Sequence, residues 1–133
     1  MTREELLAVA RKVALRAHCP YSRFHVGAAV MADGKVYVGV NVENSSYGLT
    51  LCAERAALAA AISDGAGHIT HVAVACIDAP PDAPLNDRSP CGACRQWIAD
   101  LAPKAVIYID GASQDFLIAD LLPYAFELPA TEM

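Results

Sequence analysis

Three cysteines at the starts of two predicted helices constrain the fold of this 133-residue chain more than any other feature of its sequence. Cys52 lies near the beginning of TLCAERAALAAAISDGAG, and Cys91 and Cys94 lie near the beginning of SPCGACRQW. The free N–H groups and the dipole of a helix N-terminus favour thiolates. A fold that uses the three thiols together must therefore place the two helix N-termini close to each other.

The CxxC pair by itself is compatible with a redox disulfide, with half of a structural zinc site or with part of a catalytic metal centre. A redox pair gives Cys52 no role, whereas a metal site needs at least three ligands. A structural zinc site is normally closed by a fourth Cys or His, and no histidine falls in either helix start. Three ligands and an open position are therefore favoured. The other candidates are interpreted as loop or strand histidines and as ordinary thiols: His18, His25, His68, His71, Cys19 and Cys76.

Capping and turn signals divide the N-terminal part of the chain into one helix and one hairpin. Thr2 followed by Glu5 is a capping-box pattern, and the apolar stripe after it predicts an amphipathic helix that ends near HCP at 18–20. FHVGAAVM and VYVGVNVE are predicted antiparallel strands, because Asp33-Gly34 between them is the strongest short hairpin signal.

The rest of the chain predicts two more helices and three more strands. One helix is expected over about 51–63 with Thr50 suited to its N-cap, and the next follows Ser89 and Pro90. HITHVAVACID, AVIYID and DFLI are predicted strands, and the short connection before DFLI predicts an antiparallel return. The order α-β-β-α-β-α-β-β predicts a single α/β domain over 1–133, with helices packed on one mixed sheet.

Charge and apolar pattern exclude several classes of partner. The net charge of −5 and the lack of a Lys and Arg cluster argue against a nucleic acid polymer. The apolar runs are too short for a membrane span, and charged residues interrupt the N-terminal stripe, unlike a signal peptide. Five cysteines without an export signal argue against a disulfide framework, so we expect a cytoplasmic protein. The hydrophobic fraction of 55% predicts that some apolar surface faces a partner subunit.

Glu54 follows Cys52 by two residues and decides which chemistry the thiols serve. On position alone it is equally well a first-turn acid that the helix dipole favours. Beside an open zinc site, however, a carboxylate acts as a general base toward water. CAE followed downstream by PCGAC has the layout of zinc-dependent nucleobase deaminases, in which a glutamate that is not a ligand shuttles protons.

Over nearly its full length the chain resembles the small homotetrameric cytidine deaminases. The blocks YSRFHVGAAV, GVNVENSSYG, TLCAERAAL, SPCGACRQ and LLPYAF occur in that family's order. The resemblance implies a three-layer α/β/α fold with one mixed five-stranded sheet. It also implies one zinc ion per chain, held by Cys52, Cys91 and Cys94, with Glu54 as the proton shuttle. Cys rather than His before Ala-Glu indicates the tetrameric branch.

The resemblance also implies which residues bind the substrate. Strand pleating places Asn41 and Glu43 on one face of the second strand, which on pattern alone is more often a solvated face. In the family these two residues hold the ribose. By the same resemblance Phe24 lies against the pyrimidine ring, Ala53 contacts the substrate, and Phe126 reaches the pocket of a neighbouring subunit.

Arg55 directly follows Glu54, and on position alone it is a surface helix residue. Three thiolates on a divalent zinc leave a net negative site, which weakens zinc as an acid. A guanidinium that donates to the sulfurs would offset this charge. The resemblance supports that role for Arg55.

The implied activity is hydrolytic deamination of cytidine and deoxycytidine to uridine and deoxyuridine, with release of ammonia, as in pyrimidine salvage. A related small deaminase of another cytosine nucleoside, such as a blasticidin-type antibiotic, is the alternative. A zinc-stabilised domain without activity is disfavoured by the missing fourth ligand and by Glu54. A thioredoxin-like redox protein is disfavoured by Cys52.

Overall fold

Five strands form one mixed sheet in the computed structural model, which describes residues 1–130. The strands are β1 (Val26–Ala32), β2 (Lys35–Val40), β3 (Ile69–Cys76), β4 (Val106–Ile109) and β5 (Phe116–Leu117). The helices are α1 (Arg3–Ala14), α2 (Ala53–Ser63), α3 (Gly92–Leu101) and α4 (Ile118–Leu121). The strand order is β2-β1-β3-β4-β5, with β3 parallel to β4 and the other pairs antiparallel. The predicted mixed sheet and the antiparallel return of β5 are confirmed.

Helices cover both faces of the sheet. On one face α1 packs Leu6, Leu7 and Ala10 against small residues of β1 and β3. On the other face α2 and α3 cover the larger core, to which the sheet contributes Val30, Val72, Val74, Ile107 and Ile109. This arrangement confirms the predicted three-layer α/β/α fold.

Two glycines allow the helices to approach the hairpin closely. A Cβ at Gly27 would lie 2.0 Å from the carbonyl oxygen of Ala10 in α1. A Cβ at Gly39 would lie 2.4 Å from the backbone nitrogen of Ala57 and 2.5 Å from the carbonyl oxygen of Ala53 in α2. Only glycine permits both approaches. Gly39 therefore holds the first turn of α2 against the end of β2.

The hairpin turn is built as its sequence predicts. Asp33 has φ 52° and Gly34 has φ 78°, and these two positive values are those of a type I′ turn. The Asp33 carboxylate also accepts hydrogen bonds from the backbone N–H groups of Gly67 (2.6 Å) and His68 (3.1 Å). These two hydrogen bonds lower the pKa of Asp33, and the bond from Gly67 has the larger effect. The turn is thus fastened to the segment that enters β3.

The ends of α1 differ in how well they follow the prediction. Thr2 is the N-cap, and its hydroxyl accepts a hydrogen bond from the N–H of Glu5 at 3.1 Å, as predicted. The helix ends at Ala14, several residues before the predicted end at HCP. Arg16 and Ala17 donate instead to carbonyls three residues back, and such bonds tighten the chain out of the α-helix.

The predicted N-caps of α2 and α3 are wrong. The N-cap of α2 is Cys52 rather than Thr50, and the N-cap of α3 is Cys91 rather than Ser89. Neither cysteine makes a side-chain capping bond. The hydroxyl of Ser89 donates to the carbonyl of Leu85 at 2.6 Å, so it is engaged in the preceding turn. Cysteines therefore occupy both N-cap positions without capping the helices through their side chains.

The four-residue helix α4 begins at Ile118, the last residue of the predicted strand DFLI, and continues into ADLLPYAF, for which the sequence predicts no helix. None of the helices within residues 1–130 has the length and apolar character needed to cross a membrane.

Candidate active site

The three predicted ligand thiols meet between the N-termini of α2 and α3. The Sγ atoms of Cys52 and Cys91 are 3.8 Å apart, and those of Cys91 and Cys94 are 3.5 Å apart. All three lie within 4.8 Å of one another. Tetrahedral zinc with Zn–S bonds of about 2.3 Å requires sulfurs about 3.8 Å apart, so the cluster fits one zinc ion. Among the described residues no other His, Cys, Asp or Glu joins this group.

Arg55 supplies positive charge to the thiols. Its Nη2 donates to Cys52 Sγ at 3.4 Å and to the carbonyl of Thr50 at the same distance. Hydrogen bonds from the Cys94 thiol and from Arg55 lower the pKa of Cys52, although burial opposes this. The Nε–H of Arg55 is buried and has no hydrogen-bond partner among residues 1–130. Arg55 is therefore directed at the sulfur cluster rather than at solvent.

Glu54 is buried at the second position of α2, beside the cluster. Glu54 is only 4% exposed, whereas an acid that merely interacts with the helix dipole would face solvent. Burial raises the pKa of Glu54 to about 7, and the negative charge on Cys52 adds to the effect. A carboxyl group with such a pKa can both take up and release a proton at neutral pH.

A cavity of about 280 Å³ opens beside the thiols and brings together most of the predicted substrate residues. Ala53 and Glu54 line it from the first turn of α2. Phe24, Asn41 and Glu43 line it from the segments that flank the hairpin. These five side chains come from parts of the chain that are separate in sequence, and the fold places them around one space.

Asn41 and Glu43 lie just beyond the end of β2 and are 8% and 9% exposed, so they do not form a solvated face. Asn41 accepts from the N–H of Val26 at 2.9 Å and donates to the carbonyl of Phe24 at 2.8 Å. It therefore fixes the backbone on both sides of His25, including that of Phe24.

Glu43 holds the segment before Phe24. One carboxylate oxygen accepts from the N–H groups of Tyr21 (3.0 Å) and Ser22 (3.1 Å), and the other accepts from the Ser22 hydroxyl. These hydrogen bonds lower the pKa of Glu43, and the bond from the Ser22 hydroxyl has the largest effect. An ionised carboxylate therefore faces the cavity.

Phe126 does not line this cavity. It is 69% exposed, and its carbonyl oxygen accepts a hydrogen bond from Gln96 Nε2 at 2.9 Å. Gln96 belongs to α3, the helix that carries Cys94, so the C-terminal segment is attached to the metal-site helix. The role of Phe126 in a neighbouring subunit stays a prediction.

Several cavity residues were missed by the sequence reasoning, among them Ser22, Cys76, Asp87 and Ser89. Asp87 and Ser89 precede Cys91 closely, and this nearness to a ligand was a usable signal. Cys76 ends β3, and its interpretation as a buried thiol agrees with its 7% exposure. Burial raises the pKa of Cys76 to about 12, so it remains protonated.

Comparison with known proteins gives one consistent family. Residues 1–110 match the model of the cytidine and deoxycytidylate deaminase zinc-binding region. The chain is 43% identical to a cytidine deaminase of Sporosarcina psychrophila, over 92% of this chain and 90% of that protein. It is 44% identical to a cytidine deaminase of Halalkalibacterium halodurans, over 95% of each chain.

Solved structures agree with the sequence relatives. The crystal structure of cytidine deaminase from Burkholderia pseudomallei matches with a TM-score of 0.83 and 41% identity, over 95% of this chain and all of that one. Cytidine deaminase from Mycobacterium tuberculosis matches with a TM-score of 0.81 and 38% identity, over 96% and 99% of the two chains. The chain belongs to the cytidine and deoxycytidylate deaminase family.

Proposed function

We propose that this chain, as one domain over 1–133, is a zinc-dependent cytidine deaminase. It converts cytidine and deoxycytidine to uridine and deoxyuridine and releases ammonia. The observation that carries this proposal is the buried Glu54 carboxyl in the wall of the cavity that adjoins the three thiols. The 43–44% identity to named cytidine deaminases over most of the chain supports the same substrate class.

Cys52, Cys91 and Cys94 hold one zinc ion per chain in this proposal. When bound, zinc supplies Lewis-acid chemistry that activates water toward attack on the substrate. Arg55 donates to the sulfur of Cys52 and offsets part of the negative charge of three thiolates.

Glu54 moves the protons of the reaction. Its carboxylate takes up the proton of the attacking water and passes it to the ring nitrogen next to the carbon that bears the amino group. It then takes up the proton of the hydroxyl group that water has added to the ring carbon and delivers it to the departing amine, so that one water is consumed and one ammonia leaves. The pKa of about 7 allows the group to act in both directions at neutral pH.

The substrate is held from the hairpin side of the cavity. The Asn41 side-chain oxygen and the ionised Glu43 carboxylate accept hydrogen bonds from the ribose hydroxyls. The Phe24 ring packs against the pyrimidine, and Ala53 borders the base beside Glu54. The placement of these residues around one cavity supports this assignment.

We infer a homotetramer in which Phe126 of one subunit completes the site of its neighbour. The outer surface of α2 and α3 carries an apolar groove with Ile62, Trp97 and Leu101 along it, as a subunit contact requires. The exposed rings of Tyr124 and Phe126 lie on the C-terminal segment. All five cysteines lie within residues 1–130 and none forms a disulfide there, which favours a cytoplasmic location, where cysteines stay reduced.

Ammonia release from cytidine, measured together with zinc per chain, tests the proposal. We expect turnover of cytidine and deoxycytidine with one zinc ion per chain. A blasticidin-type nucleoside serves as the comparison substrate. Two results would overturn the proposed function. One is turnover of the blasticidin-type compound alone, and the other is a zinc-loaded protein without activity on cytidine or deoxycytidine.

A further inference from the structure

A buried guanidinium lies in the loop that leads into the thiol cluster. Arg88 belongs to the segment 77–91, which joins β3 to α3, and it is only 8% exposed. Its side chain donates to the carbonyl oxygens of Ala83 (3.4 Å), Asp110 (3.4 Å) and Pro80. A charged side chain is rarely buried in a loop unless its hydrogen bonds are made, and here three backbone carbonyls accept them.

These contacts join two separate parts of the chain. Pro80 and Ala83 belong to the 77–91 loop, whereas Asp110 directly follows β4. Within residues 1–130 no carboxylate pairs with Arg88, since the Asp110 carboxylate pairs with Arg11 at 2.6 Å. The loop therefore folds around the guanidinium, which also attaches it to the backbone that directly follows β4.

Gly111 provides the space for this contact. A Cβ there would lie 2.9 Å from Nη1 and 3.2 Å from Cζ of Arg88. Gly111 also has φ +88°, a conformation that other residues rarely adopt. The backbone after β4 is therefore shaped to accept the guanidinium.

The residues around Arg88 belong to the site. Asp87 and Ser89, on either side of Arg88, line the cavity, and Cys91 follows Arg88 by three residues. Cys94 is buried within α3, but Cys91 precedes the helix and is exposed. The position of Cys91 therefore depends on the loop more than that of Cys94 does. The thiol of Cys76 also donates to the carbonyl of Arg88 at 3.8 Å.

We propose that Arg88 is a positioning residue for the candidate active site. It fixes the 77–91 loop so that Cys91 meets Cys52 and Cys94, and so that Asp87 and Ser89 form one wall of the cavity. The effect on the thiol cluster is independent of the substrate, whereas the effect on turnover rests on the proposed function.

The test compares zinc release to a chelator, KM and kcat for cytidine, and thermal unfolding in three variants. Arg88→Met removes the three hydrogen bonds, Arg88→Lys replaces the planar fork with a single ammonium, and Gly111→Ala places a methyl group against the guanidinium. We expect zinc release about 10- to 100-fold faster than in the wild type, as for other residues that support metal ligands. KM should rise more than kcat falls, because the cavity wall moves while Glu54 stays in place.

Arg11→Met is the matched control. Arg11 donates to the Asp110 carboxylate and to Glu4, and within residues 1–130 its side chain donates no hydrogen bond to the 77–91 loop. It should lower the unfolding temperature and leave zinc release and KM unchanged. If Arg88→Met does not fold, Arg88→Lys and Gly111→Ala still decide the question. Zinc release and KM as in Arg11→Met would show a purely structural role. If the wild type had no activity on cytidine, the proposed function would be wrong. Zinc release would still test whether Arg88 positions Cys91.

Discussion

At the scale of single residues, hydrogen bonding gives two buried acids near the thiols different roles. Glu54 has its pKa raised to about 7 by burial, whereas the hydrogen bonds from Ser22 and Tyr21 lower the pKa of Glu43. One carboxyl group is thus suited to exchange protons near neutral pH, and the other stays ionised as a hydrogen-bond acceptor. The difference follows from their surroundings, since the two side chains are chemically the same.

Glu54→Gln should keep the fold and the zinc but lose about a hundred- to ten-thousand-fold in kcat, because the amide cannot move a proton. Steady-state ammonia release and metal analysis of the purified variant measure both quantities. Glu4→Gln, which changes an exposed acid of α1, is the control and should retain wild-type kcat. A kcat within a few-fold of wild type in Glu54→Gln would contradict the proton-transfer role.

Cys52→Ala should lose zinc and unfold at lower temperature, because ligand binding and folding are linked. Cys19→Ala removes another buried thiol that lies outside the cluster, so it should retain one zinc ion per chain. Zinc per chain and thermal unfolding compare the two variants. Full zinc occupancy in Cys52→Ala would exclude Cys52 as a ligand.

At the scale of secondary structure elements, the Asp33-Gly34 turn does more than reverse the chain. The Asp33 carboxylate binds the backbone before β3, and these bonds lower its pKa. A lowered pKa in the folded state gives stability that is present above the unfolded pKa of about 3.9 and is lost as pH falls through the folded value.

Asp33→Asn should therefore lower the unfolding temperature at neutral pH, and its difference from wild type should shrink as pH falls below the unfolded pKa of about 3.9. Asparagine still suits a type I′ turn, so the hairpin itself is kept. Thermal unfolding of both proteins across this pH range measures the difference, and loss of zinc in acid affects both alike. Asp82→Asn, in the exposed part of the 77–91 loop, is the control. A constant difference at all pH values would contradict the role of the ionised carboxylate.

Local signals predicted the elements better than their ends. Asp33-Gly34 and the Thr2 cap each act within a few residues, and the structure follows both. Thr50 and Ser89 are favourable caps on average, but thiols take both N-cap positions in the folded chain. The helix α4, over Ile118–Leu121, is too short for a periodic pattern to reveal.

The cavity was predictable only in part. The lining residues that were predicted came from motif spacing, which places Glu54 two residues after Cys52, and from the family resemblance. Cys76 reaches the cavity because β3 passes beside α2, and no local sequence pattern contains that arrangement. Arg88 is a similar case, since its partners at Pro80 and Asp110 are brought together by the tertiary fold.

At the scale of the whole molecule, charge determines which substrates can approach. The chain carries a net charge of −5. Among the described residues that line the cavity, three are carboxylic acids (Glu43, Glu54 and Asp87) and none is Lys, Arg or His. A phosphate group near Glu43 would meet like charge in a partly desolvated space, and no described residue that lines this cavity carries a positive charge to offset it.

The protein should therefore deaminate free nucleosides and fail on cytidine monophosphate and on single-stranded nucleic acid. The ratio of kcat/KM for cytidine and its monophosphate measures the selectivity, in the wild type and in Glu43→Gln. The variant should lose efficiency on cytidine and narrow the ratio. Comparable efficiencies on the two substrates in the wild type would refute the ribose-binding role of Glu43.

The thiols at the two N-caps have a consequence for the local motion of the helices. Because neither Cys52 nor Cys91 makes a side-chain capping bond, the first N–H groups of α2 and α3 receive no acceptor from their own caps. A chelator should therefore speed amide hydrogen exchange first at these two helix starts, while the central strands β1 and β3 stay protected. Hydrogen-exchange mass spectrometry of the zinc-loaded and zinc-free protein measures this, and an even loss of protection would contradict it. Zinc occupancy would then be visible as the opening and closing of two helix ends.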